Sequence, residues 1–139
     1  MDPGVIVGAA IVRAGALLAA QRAHPADLAG YWELPGGRVE PGESAVDALR
    51  RECVEELDVR IAIGERVGED VALPGGKVLR VYSVVLTDPG LEPVPLEHRA
   101  LRWISEGDLD GVDWLPADRV LLPALRNLLT VSPLHRLGG

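Results

Sequence analysis

The pattern of apolar and polar positions divides the chain into short strands and two helices. Residues 5–13 read VIVGAAIVR, an almost unbroken apolar run, and after Ala14-Gly15 a second run, ALLAAQR, follows. This predicts two strands joined by a tight turn, the first covered on both faces, with a short helix as the competing reading of the Ala- and Leu-rich second segment. Arg22 ends the pair at the edge of the sheet. HPADLAGY has the Pro, Asp and Gly content of a loop, and residues 32–34 form a short strand leading into Pro35-Gly36-Gly37. Residues 43–57 contain no Gly or Pro and are rich in Ala, Leu, Glu and Arg, which predicts a helix of about four turns. Ser44 or Glu43 can cap it, with Asp47 three residues past Ser44. Residues 60–73 and 77–87 flank Pro74-Gly75-Gly76 and predict a hairpin. Its second arm sets Val78, Arg80, Tyr82 and Val84 against Leu79, Val81, Ser83 and Val85 on the opposite side. Beyond Asp88-Pro89-Gly90, LEPVPLEH is an extended loop. Residues 100–104 are the last strand, 105–110 a short helical turn, and 119–129 the final helix, with Pro123 in its first turn or at a kink.

Residues 1–131 carry no internal repeat or linker and are expected to form one domain, whereas 132–139 have no periodic signal and are expected to be a flexible tail. With 14 basic against 21 acidic residues, the net charge of -7 argues against a nucleic-acid polymer as partner. A nucleotide remains compatible if cations neutralise its phosphates. One cysteine excludes an internal disulfide framework and is consistent with a reducing, cytoplasmic setting. Neither a signal peptide nor an apolar run long enough for a membrane span is evident. The three histidines, His24, His98 and His135, show no zinc-ligand spacing.

The helix over 43–57 holds the candidate chemistry. At about 100° per residue, Val46, Leu49, Cys53 and Leu57 share one sector and Glu52, Glu55 and Glu56 another, which Ala45 and Ala48 continue. Three carboxylates spaced i, i+3 and i+4 repel one another. A hard divalent cation would relieve them, since Mg²⁺ takes oxygen ligands and bridges carboxylates to phosphates.

Gly37, Glu43, Arg51, Glu52, Glu55 and Glu56 stand in the spacing G-x5-E-x7-R-E-x2-E-E. At about 7% frequency per residue, a chance match is roughly one in ten million per start position. The pattern resembles the signature of the Nudix hydrolases, with two departures. Asp58 replaces the final Gly, and Cys53 fills an apolar slot as a small hydrophobe. That Gly would end the helix in a left-handed conformation, which Asp tolerates at modest cost. AAQR, GYWELPGG and WLPAD extend the resemblance, of the MutT-like type, over nearly the whole chain.

The resemblance implies an α/β fold, the Nudix α/β/α sandwich with a mixed β-sheet between helices. It implies a pyrophosphohydrolase that cleaves a nucleoside triphosphate with Mg²⁺ or Mn²⁺, as a monomer or homodimer. Glu52, Glu55 and Glu56 would hold the ions with the Gly36 carbonyl, and Arg51 would orient a glutamate. Glu97, in the loop before the last strand, would be a further ligand or the general base, with Glu52 as the other base candidate and Glu92 competing for the position of Glu97. The nucleotide would meet Arg22, Leu34, Gly37 and Asp118. Arg22 could instead be a solvated surface arginine, and Asp118 could instead cap the last helix. A carboxylate at 118 accepts from the exocyclic amine of cytosine and repels a guanine O6, which favours CTP, dCTP or 5-methyl-dCTP over 8-oxo-dGTP. The chain has no Phe, leaving Tyr31, Trp32, Leu34 and Tyr82 near the glycine loop to face a base.

Overall fold

Strand β1 (Val5–Arg13) is the axis on which the rest is assembled. In the computed structural model, which describes residues 4–131, its N-terminal part runs parallel to β7 (Val78–Leu86) and its other edge pairs antiparallel with β4 (Gly36–Arg38). The end of β1, Val12 and Arg13, turns through Ala14-Gly15 into β2 (Ala16–Gln21). β2 pairs antiparallel with β8 (Ala100–Ser105) and with β3 (Trp32–Glu33). The second apolar segment is therefore a strand and not a helix. Its backbone is paired on both edges, and that tertiary pairing overrides the helix preference of Ala and Leu.

The glycine turn is also more ordered than a loop, because Gly36 and Gly37 lie opposite Gly8 and Val7 in the sheet. The arm over 60–73 is broken into β5 (Ile61–Arg66) and β6 (Val71–Ala72), both antiparallel to β7, with an irregular register after Ile63. A 3-10 turn, Pro74–Gly76, joins β6 to β7. The segment after β8 is a longer 3-10 turn, Glu106–Gly111.

Helix α1 (Ala45–Leu57) starts two residues later than its sequence suggests, with Ser44 as N-cap and its Oγ accepting from Asp47 N at 3.1 Å. It ends at Asp58 in a left-handed conformation (φ 55°, ψ 43°), the place a Gly would take. The last helix begins at Pro116 and is divided at Leu121 into α2 (Pro116–Val120) and α3 (Leu122–Thr130), with Pro123 in the first turn of α3. The expected tail, 132–139, lies outside the described residues.

Alternation along β1 separates two cores. Val5, Val7, Ala9 and Ile11 pack with Leu49, Cys53 and Leu57 of α1. Ala10, Ile6 and Val12 join the opposite cluster with Leu109, Leu122 and Leu125. The result is the expected α/β/α sandwich around a mixed sheet. No helix among the described residues is long and apolar enough to cross a membrane.

The buried stripe of α1 differs from the expected core sector. Val46 is half-buried, whereas Ala45, Ala48 and Glu56 are buried. Ala45, Leu49 and Glu56 fall within about 40° of one another on a helical projection. Glu56 thus lies in the middle of the packed face, and the carboxylates are graded from buried Glu56 to half-exposed Glu55.

Candidate active site

A cleft of about 590 Å³ opens where β1, β4, the C-terminal half of α1 and the β7–β8 loop meet, and Gly36, Gly37, Glu56 and Glu97 line it. The close approach of β4 to its neighbours depends on its two glycines. A Cβ on Gly36 would fall 1.9 Å from Val7 O, and one on Gly37 would fall 1.7 Å from Glu52 Oε2. Gly36 N donates to Glu56 Oε2 at 3.0 Å. The turn therefore carries both Glu52 and Glu56 against its backbone.

Burial pushes Glu56 up to about 9, helped by the charges of Glu52, Glu33 and Glu97 and opposed by the Gly36 hydrogen bond. Burial likewise pushes Glu52 up to about 7, with Arg51 opposing and Glu55 and Glu97 adding to the rise. Such shifts mark negative charge without enough compensation. Among the described residues no three acidic, His or Cys side chains already converge on one point as a cage. An all-oxygen donor set of this kind fits a hard divalent cation, of the sort held by one or two carboxylates together with waters and substrate phosphate.

Arg51 works from the rim. Its Nε and Nη2 fork onto Glu43 at 2.7 and 2.9 Å, Nη1 reaches Glu55 at 3.0 Å, and Nη2 also donates to Arg38 O at 3.0 Å. It ties the start of α1, the end of β4 and the outermost carboxylate together. The hydrogen bond from Arg51 is the main cause holding Glu43 down at about 2.

The β7–β8 loop is fixed to α1 by donation from Leu96 N to Glu56 O and from Val94 N to Leu57 O, at 3.0 and 2.9 Å. These amides satisfy carbonyls at the C-terminal end of the helix that lack intrahelical donors, and they deliver Glu97 to the cleft. Glu92 is elsewhere, bound to Arg13 at 2.6 Å.

Arg22, Leu34, Gly37 and Asp118 all reach the same cleft. The Arg22 guanidinium is engaged there, with Nη1 on both oxygens of Glu33 and Nε and Nη2 on His24 O, so it is not a freely solvated side chain. Asp118 is 5% exposed, and its Oδ2 accepts from Leu34 N at 2.9 Å. The N-cap of α2 is Leu115, so the capping reading of Asp118 does not hold. Burial is the main cause raising its pKa to about 7. An adjoining, mostly apolar groove of about 500 Å³ shares Ile6, Glu33, Leu79 and Asp118 with the cleft and is further lined by Leu28, Leu73 and Leu115.

The aromatics expected near a base lie apart from it. Tyr31 is 44% exposed, Trp32 is buried in a bridge to Trp114, and Tyr82 packs with the α1 core. Leu34 alone of that group lines the cleft. Among the cleft residues that the sequence does not single out are Glu33 and His98, which contact each other at 3.0 Å. The segments WELPGG and EH flank the expected site residues but have no periodic or ligand spacing that would have singled these two out.

Fold and site together define an α/β/α hydrolase whose helix-borne carboxylates face a glycine turn. The chain belongs to the Nudix family: the NUDIX domain model matches residues 2–129. It is 46% identical over 137 residues to a putative 8-oxo-dGTP diphosphatase 2 of Mycobacterium tuberculosis, covering 95% of this chain and 96% of that one. It is also 37% identical over 128 residues to the CTP pyrophosphohydrolase of Escherichia coli K12, covering 92% and 95%. Among solved structures, the Escherichia coli ORF135 protein superposes with a TM-score of 0.77 at 36% identity, over 93% of this chain and 92% of that one. The MutT NUDIX hydrolase from Burkholderia pseudomallei gives 0.71 at 31% identity, over 89% and 98%. Nudix hydrolases generally use a divalent metal, and the site described above has the donor set for one.

Proposed function

We propose that this Nudix hydrolase cleaves nucleoside triphosphates to the monophosphate and pyrophosphate with Mg²⁺ or Mn²⁺, and that cytidine nucleotides are favoured over 8-oxo-dGTP. The observation that carries the reaction is the pair of carboxylates against the glycine turn, with Glu52 and Glu56 both raised first by burial and then by neighbouring acids. When bound, the cation would polarise the phosphoryl oxygens and acidify the attacking water. Glu52, Glu55 and Glu56, with Glu97 and the Gly36 carbonyl, would supply its ligands. Arg51 holds Glu55 and Glu43 in place. Glu97 or Glu52 takes the proton of the attacking water, and both stand close enough to Glu56 to shift its pKa.

The base would enter the apolar groove, with Asp118 at the junction between groove and cleft and Leu34 on the cleft side. The names of the two relatives divide between oxidised guanine and cytosine, so overall likeness does not choose, and what supports the cytosine reading is Asp118. An ionised Asp118 offers only acceptors, which suits the cytosine amine. A purely nucleotide-sensing domain is the weaker reading, because every box glutamate is present, with Glu52 and Glu56 against the glycine turn and Glu43 and Glu55 held by Arg51. Pyrophosphate release from a panel of CTP, dCTP, 5-methyl-dCTP, 8-oxo-dGTP and dGTP, with and without Mg²⁺, tests the proposal. Metal-dependent release, fastest with cytidine nucleotides, is expected. No release from any nucleotide would refute the catalytic reading, and an 8-oxo-dGTP preference would refute the base assignment.

A further inference from the structure

On either side of residues 97–98 the β7–β8 loop is fastened by Leu96 N on Glu56 O and by Arg99 N on Gln21 O, at 3.0 and 2.8 Å. Between them the His98 side chain, 5% exposed, is inserted into the cleft wall. Its Nε2 lies 3.0 Å from Glu33 Oε2 and 3.7 Å from Glu56 Oε1. Glu33 is itself held by Arg22 Nη1 at 3.1 and 3.2 Å. A carboxylate fixed by an arginine acts as an acceptor, which assigns the ring proton to Nε2. Nδ1 is buried and has no hydrogen-bond partner. The one N–H is therefore given to Glu33, and Glu56 Oε1 meets the same edge of the ring at 3.7 Å as a packing contact without a hydrogen bond.

We propose that His98 is a positioning residue of the active site: its ring, anchored through Nε2–H on the Arg22–Glu33 pair, packs against the Glu56 carboxyl and so fixes where that group sits, and its insertion places the adjoining Glu97. Residues that orient metal-binding side chains in this way commonly change affinity or turnover by about 10–100-fold when replaced. The inference rests on the metal-dependent reading above, and its test reads metal binding separately from turnover.

His98→Gln sets an amide nitrogen near the place of Nε2, whereas His98→Asn sets one near Nδ1. Mn²⁺ binding to the whole nucleotide-free chain is followed by electron paramagnetic resonance, alongside pyrophosphate release and thermal unfolding. For His98→Asn, Mn²⁺ affinity and kcat are each expected to fall by about 10-fold or more with a smaller change in KM, and His98→Gln is expected to restore most of both. Wild-type behaviour of His98→Asn, or equal impairment of the two variants, overturns the proposal. A wild-type chain that neither binds Mn²⁺ nor releases pyrophosphate overturns the metal-dependent reading beneath it. Should His98→Asn fail to fold, ¹⁵N-histidine spectra of the wild type decide. An Nε2–H tautomer whose signals move on adding Mg²⁺ supports the assignment, and an Nδ1–H tautomer or an unmoved signal overturns it.

Discussion

Glu56 combines a packed environment with three like-charged neighbours, and this determines what its replacement does. Glu56→Gln keeps an oxygen for Gly36 N–H but removes the charge that a cation needs. Turnover is expected to fall by about 10²-fold or more, while the metal-free variant melts no lower than wild type at pH 8, where the folded wild type must keep on Glu56 a proton that the unfolded chain releases and the neutral amide has no such cost. Steady-state kinetics and calorimetry check the two halves, and near-normal kcat would remove Glu56 from the metal assignment. Asp118 differs in that its raised pKa, about 7, lies within the working range. Below it the protonated acid can donate to a guanine O6, and above it the carboxylate only accepts. The ratio of kcat/KM for dCTP over 8-oxo-dGTP is therefore expected to rise as pH passes through about 7. Asp118→Asn, which donates and accepts at every pH, serves as the reference that cancels effects on metal and substrate. A wild-type ratio that tracks the variant's would show that Asp118 does not read the base.

At the scale of elements, the two glycines of β4 do different work despite being neighbours. A Cβ on Gly36 meets the backbone of β1 at Val7 O, whereas one on Gly37 meets the movable end of Glu52. Gly36→Ala should therefore cost stability, by about 2 kcal/mol or more as an overpacked backbone contact. Gly37→Ala should leave the melting temperature nearly unchanged and depress turnover by displacing Glu52. Thermal unfolding and kcat measured on both variants separate the effects, and the reverse assignment would mean that the turn does not carry the carboxylate. The helix behind this turn was legible in the sequence because its evidence is local: Ser44 with Asp47, the run free of Gly and Pro, and Asp58 in place of a Gly. The burial of Glu56 was not legible, because a projection of α1 places the carboxylate beside the core sector without showing which side the sheet covers. The strand character of residues 16–21 was equally ambiguous, being settled by partners on β1 and β8 rather than by Ala and Leu themselves.

Across the whole molecule, the site joins segments far apart in sequence, and this explains the remaining gaps in what the sequence revealed. Leu34 N on Asp118 spans 84 positions, and Glu33 with His98 spans 65. Sequence patterns placed Asp118 only through family resemblance and did not place Glu33 and His98 at all. The same gathering has a thermodynamic consequence. Glu52 and Asp118, near 7, and Glu56, near 9, keep protons in the folded chain at pH values where unfolded carboxylates, near 4.5 and 3.8, have lost them. The folded state then binds more protons than the unfolded one, so unfolding free energy falls as pH rises between about 4 and 9. Below that window all three acids are protonated in both states and their contribution is fully present. Glu43, Glu92 and Asp70, lowered by arginine partners, act in the opposite sense, but at more acidic pH. In EDTA the melting temperature should thus decline from about pH 5.5 to 9. Mg²⁺ binds the folded state and competes with those protons, so its stabilisation should be small at the acid end and grow towards the alkaline end. Melting curves at matched ionic strength in EDTA and in Mg²⁺ test this. A metal-free curve that stays flat or rises over that range would show that the carboxylates are compensated within the protein and do not depend on a cation.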